Sequence, residues 1–169
     1  VGQYVMVPGG TYPYEAPAAP TAAAPARTGT TSTSTARSST STGSVAPISG
    51  SGCCIWPVSG RITTQPSSWH MALDIATALG TPIIAADGGR VVAAGWDNTG
   101  YGWRVIIDHG NGIQTLYAHM SSYTVDYGDY VSKGDMIGRI GSTGRSTGPH
   151  LHFEVRRNGS RQNPWNWLP

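Results

Sequence analysis

From Ile55 to the C-terminus, glycine, proline, asparagine and aspartate interrupt the chain roughly every 8–12 residues, a spacing that favours short strands over helices. The runs between these breaks are apolar and β-branched. Thr81-Pro82-Ile83-Ile84-Ala85-Ala86 leads into an Asp87-Gly88-Gly89 turn and then Arg90-Val91-Val92-Ala93-Ala94-Gly95. Val105-Ile106-Ile107 runs into Asp108-His109-Gly110-Asn111-Gly112, where Asn-Gly is a strong hairpin signal. Ile113 to Met120 reads as the return strand, followed by strands at 129–131, 136–140 and 151–155. No window carries a helical period. The expected fold is all-β, an antiparallel β-sandwich. Gly80 to Val91 is echoed by Tyr130 to Gly141, both strand–Gly turn–strand, which suggests a duplicated hybrid motif. Lys133 is read as a solvated turn residue.

Residues 16–52 are almost entirely Ala, Pro, Ser, Thr and Gly. Such a stretch has too little apolar surface to offset the entropy of ordering it. The expected organisation is a disordered linker over 11–52 and one domain over 53–169, about 115 residues and enough for a core of its own. Residues 1–10, Val-Gly-Gln-Tyr-Val-Met-Val-Pro-Gly-Gly, resemble the closing strand of a LysM peptidoglycan-binding module. Eleven basic and nine acidic residues give a net charge of +2, without the basic run that nucleic-acid binding requires. No apolar run approaches the roughly 20 residues of a membrane-spanning helix. The chain starts at Val1, so the expectation is a fragment lacking its targeting sequence. The Ser/Thr/Pro-rich tether points to an extracytoplasmic protein, whether secreted, periplasmic or wall-associated. Cys53 and Cys54 are adjacent and unsuited to an ordinary disulfide with each other, and Cys54 reads as a small apolar residue at the start of the domain.

The chain has five histidines, and their placement is informative. On a strand, His150, His152 and Glu154 share one face while Leu151, Phe153 and Val155 face a core. Imidazoles at alternate positions lie roughly 7 Å apart, close enough for one to ligate a metal and the other to reach water or substrate. Tyr117 and His119 would share a face in the same way. His70 and Asp74 have helical i, i+4 spacing, but Leu73-Asp74-Ile75-Ala76 looks like a strand entered from a loop. Histidines and a carboxylate suit zinc, whose catalytic sites commonly use three protein ligands and one open position. Glu154 is either an acceptor that orients a neighbour or a surface carboxylate paired with Arg156. His109 reads as structural or solvated. Asp87, Asp97, Asp108 and Asp135 read as turn aspartates that cap their own backbone. Trp165 and Trp167 are expected to pack the last segment onto the domain.

Three motifs carry a resemblance: His70-Met71-Ala72-Leu73-Asp74, Tyr117-Ala118-His119-Met120 and Gly148-Pro149-His150-Leu151-His152-Phe153-Glu154. With the preceding Ser142–Thr147 loop, they make residues 55–169 similar to the lysostaphin/LytM-type zinc metallopeptidases, a group that includes LysM-linked NlpD-like proteins. The resemblance implies Zn2+ held by His70, Asp74 and His152, with His119 and His150 as the catalytic pair. It implies hydrolysis of the peptide part of peptidoglycan. The chain departs from the family at Ala72, where glycine is usual, and Trp69 precedes His70 with no tyrosine close by, where some members carry one. Tyr101 or Tyr117 is the candidate to supply that missing support. The main rival is a non-catalytic adaptor that activates other wall hydrolases, but all five positions of the site are filled. A phosphotransfer domain would share the β architecture; the His150-Leu151-His152 motif argues against it.

Overall fold

The computed structural model describes residues 54–169. The LysM-like segment, the 11–52 linker and Cys53 lie outside the described residues. Ten strands form one antiparallel network: β1 (Arg61–Thr64), β2 (Leu73–Ala76), β3 (Pro82–Ile84), β4 (Gly89–Asp97), β5 (Gly102–Asp108), β6 (Ile113–Tyr123), β7 (Tyr130–Val131), β8 (Met136–Ile140), β9 (His150–Arg157) and β10 (Ser160–Gln162). The main sheet runs β1-β2-β9-β6-β5-β4-β7, and β10 adds to β9. The expected all-β antiparallel fold is what is observed. Two strands escaped the sequence reading. β1 and β10 are short and polar, and only their pairing with β2 and β9 defines them.

β6 is the longest strand and branches. Its first part lies between β5 and β9, while Met120 to Tyr123 pair with β8, which pairs in turn with β3. The two echoed segments thus bond to each other: Ile83 faces Gly138 and Arg90 faces Tyr130. Their turns interlock through Ala85 N–H to the Asp135 carbonyl and Gly134 N–H to the Ala85 carbonyl. Lys133 is not simply a solvated turn residue, since its Nζ is 3.2 Å from Asp87 Oδ1. The four turn aspartates do cap nearby backbone, at Gly88, Thr99, Gly110 and Ser132. Where β8 ends against β6, only glycine fits: a Cβ on Gly141 would meet Ser121 N at 2.3 Å.

The core lies between the main sheet and the β3–β8 ribbon. Leu73, Ile75, Tyr117, Leu151, Phe153 and Val155 meet Ile83, Ile137 and Ile140, and all nine are at most 1% exposed. Each aliphatic or Phe side chain buried in this way contributes about 1.5–3 kcal/mol. The two ends of the domain close over it. Cys54 is buried there, its N–H donates to the Trp167 carbonyl, and Trp56 stacks edge-on against Trp165. The terminal tryptophans therefore pack as expected. On the opposite face of β9 stand His150, His152 and Glu154.

His109 is structural and buried. Its Nδ1 is 2.9 Å from the Gly88 carbonyl, which can only accept, so Nδ1 carries the proton. Neutral Nε2 then accepts from Thr115 Oγ1 at 2.7 Å, and Thr115 lies 2.9 Å from the Tyr117 hydroxyl, which takes the Ala86 N–H. Burial lowers the His109 pKa below 6.5, although the Gly88 bond opposes that shift. The folded chain therefore binds this proton less readily than the unfolded chain. Its contribution to stability is full above pH 6.5 and is lost as pH falls below that value. At about pH 7.5, His109→Asn should cost about 1–3 kcal/mol in denaturant unfolding, and the gap to the wild type should narrow by about pH 5.5. A gap that stays constant with pH would rule out a buried neutral His109.

Candidate active site

Strand pairing assembles the site. β2 and β9 run antiparallel with Asp74 opposite His152 and Ala76 opposite His150. Because Leu73 and Ile75 face the core, Asp74 must face the other way, toward His152. His70 precedes β2 in a turn tied by Ser67, whose N–H donates to the His70 carbonyl and whose Oγ accepts from the His70 N–H. The helical reading of His70 and Asp74 does not hold, and the strand entered from a loop does.

Three donor atoms converge. His70 Nε2 is 3.2 Å from Asp74 Oδ1 and 3.2 Å from His152 Nδ1, and His152 Nδ1 is 2.9 Å from Asp74 Oδ1. All lie within 4.8 Å of one another, a set that could hold a metal ion. The tautomer supports this. His152 Nε2 lies 3.1 Å from the Glu154 carboxylate, so that nitrogen carries a proton. In the neutral ring, Nδ1 then turns a lone pair toward a carboxylate oxygen and a second imidazole nitrogen. That arrangement is repulsive unless a metal ion, or a hydrogen such as that of His70 Nε2–H, sits among them. His70 Nδ1 is buried without a hydrogen-bond partner among the described residues.

Glu154 is not a surface carboxylate: it is 1% exposed. It both orients His152 and pairs with Arg156, and it also accepts from the Tyr101 hydroxyl at 2.7 Å and pairs with Arg161 at 3.1 Å. Burial works against its charge, but His152, Tyr101 and Arg156 outweigh it and hold the pKa down to about 2. Burial likewise opposes the Asp74 charge, and bonds from His152 and Thr64 still lower its pKa. Burial would depress His152, but Asp74 and Glu154 together raise it.

His119 reaches the site by a different route. Strict alternation from the buried Tyr117 would put it in the core. Instead its φ is +60°, the one positive value among described non-glycine residues within a strand, and pairing is irregular on both sides of β6 there. This left-handed residue costs about 1–2 kcal/mol and turns the ring to within 4.8 Å of His150, centroid to centroid. Tyr117 and His119 therefore do not share a face. Tyr117 is a core residue with no part in the site, while Tyr101 lines the cleft. His119 Nδ1 is held at 2.8 Å by the Thr143 carbonyl, and His150 Nδ1 at 2.8 Å by the Gly148 carbonyl. Each carbonyl fixes the proton on Nδ1 and leaves Nε2 as the acceptor in the neutral ring. Burial is the main cause lowering the His119 pKa.

The five side chains line a cleft of about 470 Å³ together with Thr99, Gly100, Tyr101, Arg145, Thr147 and Arg161. Arg161 had no signal in the sequence, and Arg145 only its place in the loop that carries part of the resemblance. Only loop packing and the β9–β10 pairing bring them here.

A Cβ on Gly102, whose φ is +64°, would sit 2.5 Å from the Thr143 backbone. Gly102→Ala should cost about 2–4 kcal/mol in all and displace the loop that holds His119. Thermal unfolding and the His119 ring signals in NMR test this, and an unshifted His119 would remove the loop from its support.

The description "Peptidase family M23" matches residues 68–164. The DD-carboxypeptidase/endopeptidase Mpg of Neisseria meningitidis serogroup B is 48% identical over 95 residues, covering 56% of this chain and 22% of its own length. The lipoprotein NlpD/LppB homolog of Pseudomonas aeruginosa is 40% identical over 117 residues, covering 68% of this chain and 39% of its own. The catalytic domain of the antimicrobial peptidase lysostaphin from Staphylococcus simulans is similar in structure, with a TM-score of 0.55 and 37% identity, over 63% of this chain and 85% of that domain. The chain thus spans about a fifth of the length of the first of these relatives, 22%.

Proposed function

The chain belongs to peptidase family M23, and on that premise we propose that it is an extracytoplasmic, zinc-dependent endopeptidase acting on the peptide part of peptidoglycan. The observation that carries this reading is the convergence of His70, Asp74 and His152 beside two histidines held by backbone carbonyls. Two imidazoles and a carboxylate suit zinc, and Glu154 fixes the tautomer that frees His152 Nδ1 for it. When bound, zinc supplies Lewis acidity, which makes water more acidic and polarises a carbonyl.

The rest falls to the side chains. An imidazole of the His119–His150 pair takes a proton from the attacking water at Nε2 as the water oxygen bonds to the scissile carbonyl carbon. The same Nε2–H then gives the proton to the leaving nitrogen as the C–N bond breaks. The partner imidazole lies close enough to hydrogen-bond the developing charge when protonated. His-Glu-x-x-His proteases use a glutamate base; here Glu154 is committed to His152 and two arginines, so imidazole takes that role.

Likeness to an NlpD/LppB homolog raises the adaptor as a second reading. An adaptor has no need of five converging side chains. The full chain should bind one zinc per molecule by mass spectrometry and release peptides from purified peptidoglycan, and a chelator should stop that release. His152→Ala should lose both zinc and activity. His119→Ala or His150→Ala should keep the zinc and lose about 10²–10⁴-fold in kcat. Zinc binding without release on several wall types would favour the adaptor; neither zinc nor release would sink the peptidase.

A further inference from the structure

We propose that Arg145 reads a carboxylate on the bound peptide, and so determines which substrates the cleft accepts. This rests on the wall-peptide reading above. The site cleft does not end at the histidines. A second hollow of about 460 Å³, bounded by Trp96, Asn98 and Gly144, shares Thr99, Gly100 and Arg145 with it. Arg145 therefore stands where the two adjoining hollows meet.

Its backbone is fixed. The Arg145 N–H donates to the Gly100 carbonyl at 2.7 Å. Gly144, at φ +71°, lies so close to the 100–102 turn that a Cβ would meet Gly100 O at 2.4 Å. The backbone is thus already in place, and the ordering cost of binding falls on the side chain alone.

The other cations around the groove are committed. Arg156 and Arg161 share Glu154 as their partner, and Arg104 pairs with Asp97 at 3.0 Å. Among the described residues, the exposed Arg145 guanidinium has no ion pair or side-chain hydrogen bond. Of the carboxylates lining the groove, Asp74 belongs to the donor cluster and Asp97 to Arg104. The junction is thus cationic and without a protein partner among the described residues, and a planar guanidinium matches a carboxylate in bidentate fashion. On a stem peptide that carboxylate is either the C-terminal α-carboxylate or one on a side chain.

Calorimetric titration of the zinc-loaded full chain separates these. The probes are a synthetic stem tetrapeptide with free carboxylates and versions amidated singly at the α-carboxylate or at a side-chain carboxylate. The wild type should bind one amidated form about tenfold more weakly than the free acid, and that form names the carboxylate. Arg145→Gln should abolish the preference, and Arg145→Lys should keep part of it. Arg157→Gln removes an equal charge from an exposed site and should leave the preference intact. Equal binding of all probes, binding of none, a preference surviving in Arg145→Gln, or an equal loss in Arg157→Gln would each overturn the proposal. Peptide release by the same proteins separates the two readings. A carboxylate preference without release sinks the peptidase and keeps the Arg145 contact. Release without the preference sinks the Arg145 contact alone.

Discussion

The pairing of β2 with β9 is the constraint on which the rest of the site depends. It sets Asp74 against His152 because Leu73 and Ile75 on one strand, and Leu151, Phe153 and Val155 on the other, must bury on the same side. A slip of one residue would turn the apolar side chains of the slipped strand to the site face and its polar ones into the core. The hydrophobic effect thus holds the register, and the register holds the metal-type donors within reach of each other. The chemistry is borne on the back of the core.

A buried carboxylate supports that arrangement electrostatically. Glu154 would be costly to hide alone. Here His152, Tyr101 and Arg161 meet one carboxylate oxygen and Arg156 the other, so both oxygens have donors. Such a network fixes the His152 ring, and with it the nitrogen that faces Asp74. It also consumes two of the cations beside the cleft, which is why Arg145 stands out.

Loop packing completes the site from the other side. The Gly100-Tyr101-Gly102 turn and the Thr143–Gly144 loop touch backbone to backbone, a distance only glycine allows. Thr143 is the hub. Its Oγ1 accepts from Trp103 N–H and donates to the Met120 carbonyl, and its own carbonyl accepts the hydrogen bond of His119 Nδ1–H. The left-handed kink at His119 is stabilised by that hub, in keeping with strain being kept where surrounding structure over-determines it.

Much of this was legible in the residues. Turn spacing pointed to an all-β chain. Alternation in His150 to Glu154 separated the site face from the core face, because a strand's side chains have period two whatever it pairs with. The same rule failed at His119, where a kink that no local pattern announces reverses the face. It was silent on β1 and β10, too short and polar to carry a period. Residue type and local period therefore determined the class of fold, the chemistry of the five site side chains and the two faces of β9. The family resemblance had already put Asp74 and His152 at one site; tertiary structure alone decided the strand register that sets them 2.9 Å apart, that Tyr101 rather than Tyr117 enters the cleft, that Glu154 is buried, and that Arg145 stands without an ion pair among the described residues. The physical reason is that strand register, bulges and loop contacts are set by packing between residues far apart in the chain, and a local pattern carries no record of distant neighbours.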